Sequence, residues 1–192
     1  MDILDLRKQT NIKPAAGKLL IAEPFLTDPG FARTVVLLCE HGDEGSVGFV
    51  INRPSSSSLG DLLPELGDTS LKLFEGGPVQ NDTLHMIHMM PELMGGLQVL
   101  PGIYWGGSYS DLVHNLDNNK LNADLLRLFI GYSGWEKGQL EEELKEGAWL
   151  VANSYNDLIF DTDSAKVWVD SIRSLGSSFT YLANMPLHPQ LN

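Results

Sequence analysis

Two arginines, Arg33 and Arg53, flank one apolar segment and could bind an anion between them. The segment reads RTVVLLCEHGDEGSVGFVINRP, two apolar runs joined by a short acidic turn, which predicts a β-hairpin. Folding the hairpin brings the arginines to one end together with Thr34 and Asn52. Two like charges so close favour an anion, and a planar guanidinium suits a carboxylate or a phosphate. The alternative is an ion pair with one of three neighbouring carboxylates: Glu23, Asp28 or Glu75.

His41 belongs to the opposite end of the same hairpin. If it pairs with the serine just past the turn, antiparallel counting places Val35 opposite Asn52 and Thr34 opposite Arg53. At about 3.3 Å per residue, the histidine then lies roughly 20 Å from the arginines. The sequence therefore predicts that the two ends do not form one site, and that His41 closes the turn by hydrogen bonds.

A glycine pair and a tryptophan supply two further candidates. Glu75, Gly76 and Gly77 follow a predicted strand, where paired glycines permit either a phosphate cradle or a tight structural corner. The stretch lacks the Lys-Ser/Thr of a P-loop. Trp135 lies in GYSGWEKGQL, read as a loop, where it could line a cleft, as His41 could, or cover the edge of the core.

Three other pairs suggest catalysis or metal binding, and each has an ordinary structural explanation. Cys39 and His41 point the same way on a strand but stand parallel, which is poor geometry for a nucleophile and its base. The pair at 85 and 88 faces opposite sides of a strand and has no third metal ligand at convincing spacing. The acids at 161 and 163 precede a helix, where carboxylates cap free amides. No catalytic set, metal or cofactor is predicted.

The composition limits the class of protein. Its 192 residues are 43% hydrophobic, and 25 acidic against 13 basic residues give a net charge of −12. Nucleic-acid binders normally present a basic face, so direct binding to DNA or RNA is not expected. The charged N-terminus lacks the apolar stretch of a secretory signal, and no apolar run is long enough to span a membrane. A single cysteine agrees with a reducing cytoplasm, so we expect a cytoplasmic protein with no membrane partner.

Strands and helices are interspersed without strict alternation. The pattern predicts an α/β fold with a mixed, curved β-sheet and flanking helices, a three-layer α/β/α-like arrangement and not a doubly wound parallel sheet. The clearest helices cover QLEEELKE and the stretch from Ser164 to Leu175, which carries apolar residues at helical spacing. Residues 1–16 are expected to form a polar tail, and residues 17–192 a single compact domain.

Several segments, taken in order, resemble the AlgH/YqgE family of bacterial proteins. They are the stretch from Gly17 to Pro54, then LFEGGPVQ, then IGYSGWEKGQLEEELKEGAWL, and then IFDTD with Trp168 downstream. The most specific residues are Asp28, Phe31, Arg33, His41, Gly48, Asn52, Arg53, Pro54, Gly76, Gly77, Pro78, Gly131, Gly134, Trp135, Gly138, Gln139 and Leu140. The resemblance implies a compact fold built on a mixed, curved sheet. It implies no reaction and supplies no catalytic residues, although some members carry a transcriptional-regulator label.

The sequence as a whole favours a non-enzymatic protein that binds a small anion or a protein partner. Its predicted site is the end of the hairpin with the glycine corner: Arg33, Thr34, Asn52, Arg53, Glu75, Gly76 and Gly77. Two alternatives stay open. One is a transcriptional regulator acting directly or through a partner, and the other is a hydrolase that uses His41 or Asp161.

Overall fold

The computed structural model describes residues 10–66, 69 and 71–185. Their strands are β1 (Lys18–Ala22), β2 (Val35–Gly42), β3 (Gly45–Val50), β4 (Leu73–Glu75), β5 (Val79–His88), β6 (Leu97–Leu100), β7 (Ile103–Trp105), β8 (Leu126–Glu136) and β9 (Trp149–Asn153). Their α-helices are α1 (Leu59–Leu62), α2 (Pro91–Met94), α3 (Tyr109–Asp117), α4 (Gln139–Glu146), α5 (Asn156–Phe160), α6 (Ser164–Ser174) and α7 (Thr180–Ala183). No helix in these residues is long and apolar enough to cross a membrane.

The strands form one mixed, curved sheet in the order β6-β7-β5-β8-β3-β2-β1-β9, with β4 added beside β8. The β4–β8 pair is parallel, and the other pairs are antiparallel. The predicted α/β class with a mixed, curved sheet and flanking helices is therefore confirmed. Most of the predicted tail, residues 1–9, lies outside the described residues, and Ile12 packs against the core.

Alternating side chains on the strands build a core on each face of the sheet. One face of β1 to β9 packs against α5, α6 and α7, and its centre includes Leu37, Phe49 and Trp168. The opposite face is covered by α4 at the β1–β2–β9 end and by α1, α2 and α3 at the β4–β5–β8 end. Both faces of β2 are buried, as the apolar character of the strand predicts.

The hairpin forms, but its predicted register is wrong at the arginine end. His41 pairs with Ser46 as expected, yet a β-bulge at Cys39 shifts all earlier pairs by one residue. Val36 therefore pairs with Val50, and the Val35 carbonyl accepts from the Ile51 amide. Counting on from this pair, Thr34 lies opposite Asn52, and not opposite Arg53. His41 remains at the far end of the hairpin from the arginines.

The sheet forks where β3 and β4 meet the same edge of β8. The C-terminal half of β8 pairs with β3, and its N-terminal half pairs with β4. Gly76 sits at the junction, where its carbonyl accepts from Val50 at 2.9 Å and its amide donates to Ile130 at 2.8 Å. The chain leaving β3 then continues beside β4. The Glu75 backbone amide donates to the Arg53 carbonyl and the Ser55 amide donates to the Leu73 carbonyl, each at 2.9 Å. The fork opens two clefts.

Candidate functional site

The segment Ser55–Ser58 contributes to the lining of both clefts at the fork. The first, here called the Arg127 cleft, encloses about 480 Å³ and runs between this segment, β4, and the turn before α6. The second, the Arg53 cleft, encloses about 430 Å³ between the same segment and the glycine corner after β4. Both volumes fall in the range of small-molecule sites. Ser55 and Ser57 line both clefts, so the two are neighbours.

Arg127 is a buried cation whose guanidinium is already oriented. It is 6% exposed. Its Nε donates to the Ile159 carbonyl at 3.0 Å and its Nη2 to the Phe160 carbonyl at 2.5 Å, both at the end of α5. The guanidinium carbon lies 4.6 Å from the centre of the Phe74 ring. Nη1 has no hydrogen-bond partner among the described residues, and Arg127 lines the cleft.

The charges around Arg127 come from both signs. Lys72 adds a second, exposed cation that forms no ion pair within the described residues. Asp161 and Asp163 also line the cleft, but the Asp163 carboxylate accepts the Ala165 amide at 3.1 Å and so caps α6. Burial lowers the pKa of Arg127, and the nearby charge of Asp161 opposes this shift in part. The guanidinium stays protonated at neutral pH, because its ordinary pKa is far higher.

The serine segment supplies hydroxyls to the same cleft. Ser58 caps α1 by accepting the Asp61 amide at 3.2 Å, and Ser55 accepts the Ser57 amide at 3.1 Å. The hydroxyls of Ser56 and Ser57 form no hydrogen bond with any described residue, although both residues line the cleft. They are therefore available to a bound group.

The Arg53 cleft holds part of the site predicted from sequence. Arg53, Glu75 and Gly77 line it. The Arg53 guanidinium donates from Nη1 to Gly30 at 2.5 Å and from Nη2 to Pro29 at 2.9 Å, both backbone carbonyls. It makes no salt bridge in the described part of the chain, so the predicted ion pair is replaced by an anchor for the loop before β2.

The other residues predicted at this end serve the fold, which corrects the predicted set. The Arg33 guanidinium lies over the Trp168 ring at 4.6 Å and donates to the Met185 carbonyl, so it does not face Arg53 across an anion. Thr34 is fully buried and donates to the Phe31 carbonyl at 2.8 Å. The Asn52 side chain bridges the backbone on both sides of Thr34, because it accepts from the Val35 amide and donates to the Arg33 carbonyl, each at 2.9 Å.

The glycine pair is a structural corner and not a phosphate cradle. The amide and carbonyl of Gly76 are both used at the fork. Gly77 has a φ of 152°, and a Cβ there would overlap the backbone of Tyr132 and Ser133. Ser133 is fully buried and donates to the Gly76 carbonyl at 3.0 Å. Close packing against β8 therefore requires both glycines.

His41 takes part in a short polar chain at the turn of the hairpin. Its Nδ1 lies 2.8 Å from the Ser46 hydroxyl, and its Nε2 lies 3.7 Å from a Glu141 carboxylate oxygen. The order serine–histidine–carboxylate is that of a hydrolase triad. Ser46, however, lies inside the sheet between β2 and β8, whose ladders use the backbone amides that an oxyanion hole would need. The hydrogen bond instead closes the turn, as predicted.

Within the described residues, Cys39 and the other histidines do not form a reactive or metal-binding cluster. Cys39 is buried, and burial raises the pKa of its thiol, which keeps it protonated. His85 bonds Thr83 at 2.9 Å, whereas His88 is fully buried and its Nδ1 accepts the Met90 amide at 3.2 Å. Among the described residues no group of three or more histidine, cysteine or acidic side chains could hold a metal ion.

Comparisons with known proteins agree with this architecture. A model of the AlgH-like family matches residues 19–180. A UPF0301 protein of Chlorobaculum tepidum is 39% identical over 182 residues, which cover 94% of this chain and 96% of that protein. The chain belongs to the AlgH-like family. A UPF0301 protein of Chlorobium luteolum is 40% identical over 179 residues, or 93% of this chain and 95% of that one.

Two solved structures share the fold. A crystal structure of a protein from Corynebacterium diphtheriae superposes with a TM-score of 0.78 at 22% identity, covering 94% of this chain and 97% of that chain. The solution structure of the AlgH protein from Pseudomonas aeruginosa gives a TM-score of 0.69 at 30% identity, covering 92% and 100%. The AlgH-like fold is thus the curved, mixed sheet with flanking helices.

The tryptophan motif that carries the AlgH-like resemblance is structural. Trp135 lies in β8 and not in a loop, and it is 6% exposed. It also lines a third, acidic-rimmed cleft, but its indole Nε1 donates to Glu143 at 2.8 Å. Gln139 accepts the Glu136 amide and donates to Glu143, each at 2.9 Å, so the motif attaches α4 to the sheet.

Reasoning from sequence missed Arg127, the residue best placed to meet a ligand. The signal was present, because Arg127 is the one charge in the first half of β8, LRLFI, whose other residues are apolar. Leu126 and Leu128 face the core beneath α1, α2 and α3. Because side chains alternate along a strand, Arg127 points to the opposite face, as Phe129 does, toward α5. A buried charge in such a strand needs partners, and the partners here come from α5.

Proposed function

We propose that this protein is a non-enzymatic binding protein whose ligand presents a phosphate-like oxyanion to the Arg127 cleft. The observation that carries the proposal is a buried guanidinium with two nitrogens fixed by backbone carbonyls and the third, Nη1, without a partner. Such a group is oriented before the ligand arrives, so binding loses little side-chain entropy. Lys72 and the free hydroxyls of Ser56 and Ser57 add donors around the same space.

An oxyanion suits this donor set better than a cation or a neutral ligand. Guanidinium, ammonium and hydroxyl groups all donate, and a phosphate offers several acceptor oxygens to them. Asp161 keeps the local charge near balance, so the ligand is held by directed hydrogen bonds more than by a strong field. The net charge of −12 works against nucleic acid as the source of the phosphate.

Binding is proposed in preference to hydrolysis because this cleft does not bring the candidate catalytic residues together. His41 is at the other end of the β2–β3 hairpin, where its partners are Ser46 and Glu141. Asp161 lies in the cleft, but no described histidine or cysteine lines it, and the other acid there, Asp163, caps α6.

Thermal unfolding in phosphate, with chloride at matched ionic strength as reference, tests the proposal. The midpoint should rise with phosphate and level off, because the ligand binds only the folded state. Lys72→Ala should need about two to five times more phosphate, as expected for one exposed charge contact. Lys137→Ala is the matched control, since this exposed lysine does not line the cleft. The proposal fails if phosphate has no specific effect, or if the two lysine variants respond alike.

A further inference from the structure

We infer that the ligand is an amphiphilic phosphomonoester, with its anionic group in the Arg127 cleft and a short apolar group in the Arg53 cleft. This inference rests on the proposed function and adds the chemical class of the ligand. Its basis is that the two clefts share one wall, the segment Ser55–Ser58, and that their linings differ in character.

The Arg53 cleft has an apolar side that nothing in the described chain covers. Val50, Leu62, Pro78 and Ile130 line it. Leu62, at the end of α1, is 45% exposed, and Ile130 is partly buried on β8. Because exposed apolar surface is unfavourable in water, an apolar group placed there would be stabilised.

The polar residues of this cleft favour the tail of a ligand over a second anionic group. Both Nη atoms of Arg53 already donate to the loop carbonyls of Pro29 and Gly30. Glu75 lines the same cleft with an exposed carboxylate, which repels anions. The strongest anion donor at the fork is therefore Arg127, and the Arg53 cleft offers mainly contact area.

The serine segment connects the two halves. Ser55 and Ser57 line both clefts, and the Ser57 hydroxyl has no partner among the described residues. A phosphomonoester has the matching shape, because its ester oxygen joins a charged head to a carbon chain at one point. Such a ligand can contact the segment near Ser57 and place one part in each cleft.

A series of alkyl phosphates tests the inference: inorganic phosphate, then methyl, butyl and hexyl phosphate, with hexanol as the uncharged probe. Calorimetric titration should show affinity rising about threefold to fourfold for each methylene that enters the cleft, as expected for burial of one CH₂ group. The gain should level off once the Arg53 cleft is filled. Hexanol should bind far more weakly than hexyl phosphate.

Two variants distinguish the contribution of the Arg127 cleft from that of the Arg53 cleft. Leu62→Ser, at an exposed position where folding is little affected, should flatten the dependence on chain length and leave inorganic phosphate unchanged. Lys72→Ala should weaken every member of the series by a similar factor. If phosphate binds but butyl and hexyl phosphate bind no better, this inference fails and the proposed function stands. If neither phosphate nor any alkyl phosphate binds, both fail. Equal binding of hexanol and hexyl phosphate would contradict the anionic half.

Discussion

Glu143 holds two buried tryptophans, and its removal gives the sharpest stability prediction. One of its carboxylate oxygens accepts the indole N–H of Trp135 at 2.8 Å and that of Trp149 at 2.7 Å. The other accepts from Gln139 at 2.9 Å. The two indoles also pack edge-to-face, 5.9 Å between ring centres, with Phe31 beside them. This cluster joins α4 to β8 and β9.

The cost of Glu143→Ala follows from these contacts. Each indole N–H loses a charged acceptor, and because Glu143 is only partly buried the lower value for such bonds applies, about 1.5 kcal/mol each. Two bonds give about 3 kcal/mol. Glu143→Gln keeps a neutral acceptor and should cost about half as much, since charged hydrogen bonds are roughly twice as strong as neutral ones.

Urea unfolding, followed by tryptophan fluorescence, measures both variants. Glu142→Ala is the matched control on the same helix: Glu142 is exposed and, within the described residues, its side chain pairs with Lys145 alone, so the unfolding midpoint should hardly move. The expected order of stability is wild type, then Glu143→Gln, then Glu143→Ala. A Glu143→Ala protein as stable as the Glu142→Ala control would refute the assignment of this carboxylate as the clamp.

Three further predictions concern His88, Gly77 and Asp161. Burial lowers the pKa of His88, opposed in part by the Gly106 backbone, so the unfolded chain binds a proton more readily than the folded one as the pH falls. The free energy of unfolding should therefore decrease below about pH 6.5. In urea titrations at stepped pH, His88→Asn should make this decrease less steep. His85 shifts in the same direction and should account for part of the remaining slope. Gly77→Ala should abolish or severely lower the yield of folded protein, because its Cβ overlaps β8, whereas Gly42→Ala meets no atom and should fold normally, as circular dichroism would show. Asp161→Asn should tighten phosphate binding about twofold to fivefold in calorimetry by removing one negative charge near Arg127, and weaker binding would contradict the proposed electrostatics.

Local patterns in the sequence predicted elements well, and neighbours in space decided the rest. The capping pair Ser58 and Asp61, and the end of α4 at Gly147, can be read from a few adjacent residues. The bulge at Cys39 could not be read this way, because both faces of β2 are apolar and a one-residue shift leaves the pattern unchanged. The register near the arginines was therefore off by one.

Glycines misled the assignment of Trp135 for a similar reason. Gly131 and Gly134 suggested a loop, yet both lie in β8, where Gly77, Val79 and the Tyr132 ring leave little room for a side chain. Their purpose is close packing at the fork and not a turn. The same long-range packing brings Arg127 to the end of α5, more than 30 positions away in the chain, so the candidate site emerges only from the fold.

The proposed function requires the oxyanion to bind at Arg127 Nη1. Proton–nitrogen NMR of the Arg127 side chain during titration with inorganic phosphate tests it most directly, because the guanidinium resonances report on their own hydrogen bonds. We expect saturable shifts at the Arg127 side chain and at the backbone amides of Ser57 and Thr162, two residues that line the same cleft. Shifts confined to other surfaces, with Arg127 unchanged at saturating phosphate, would contradict it.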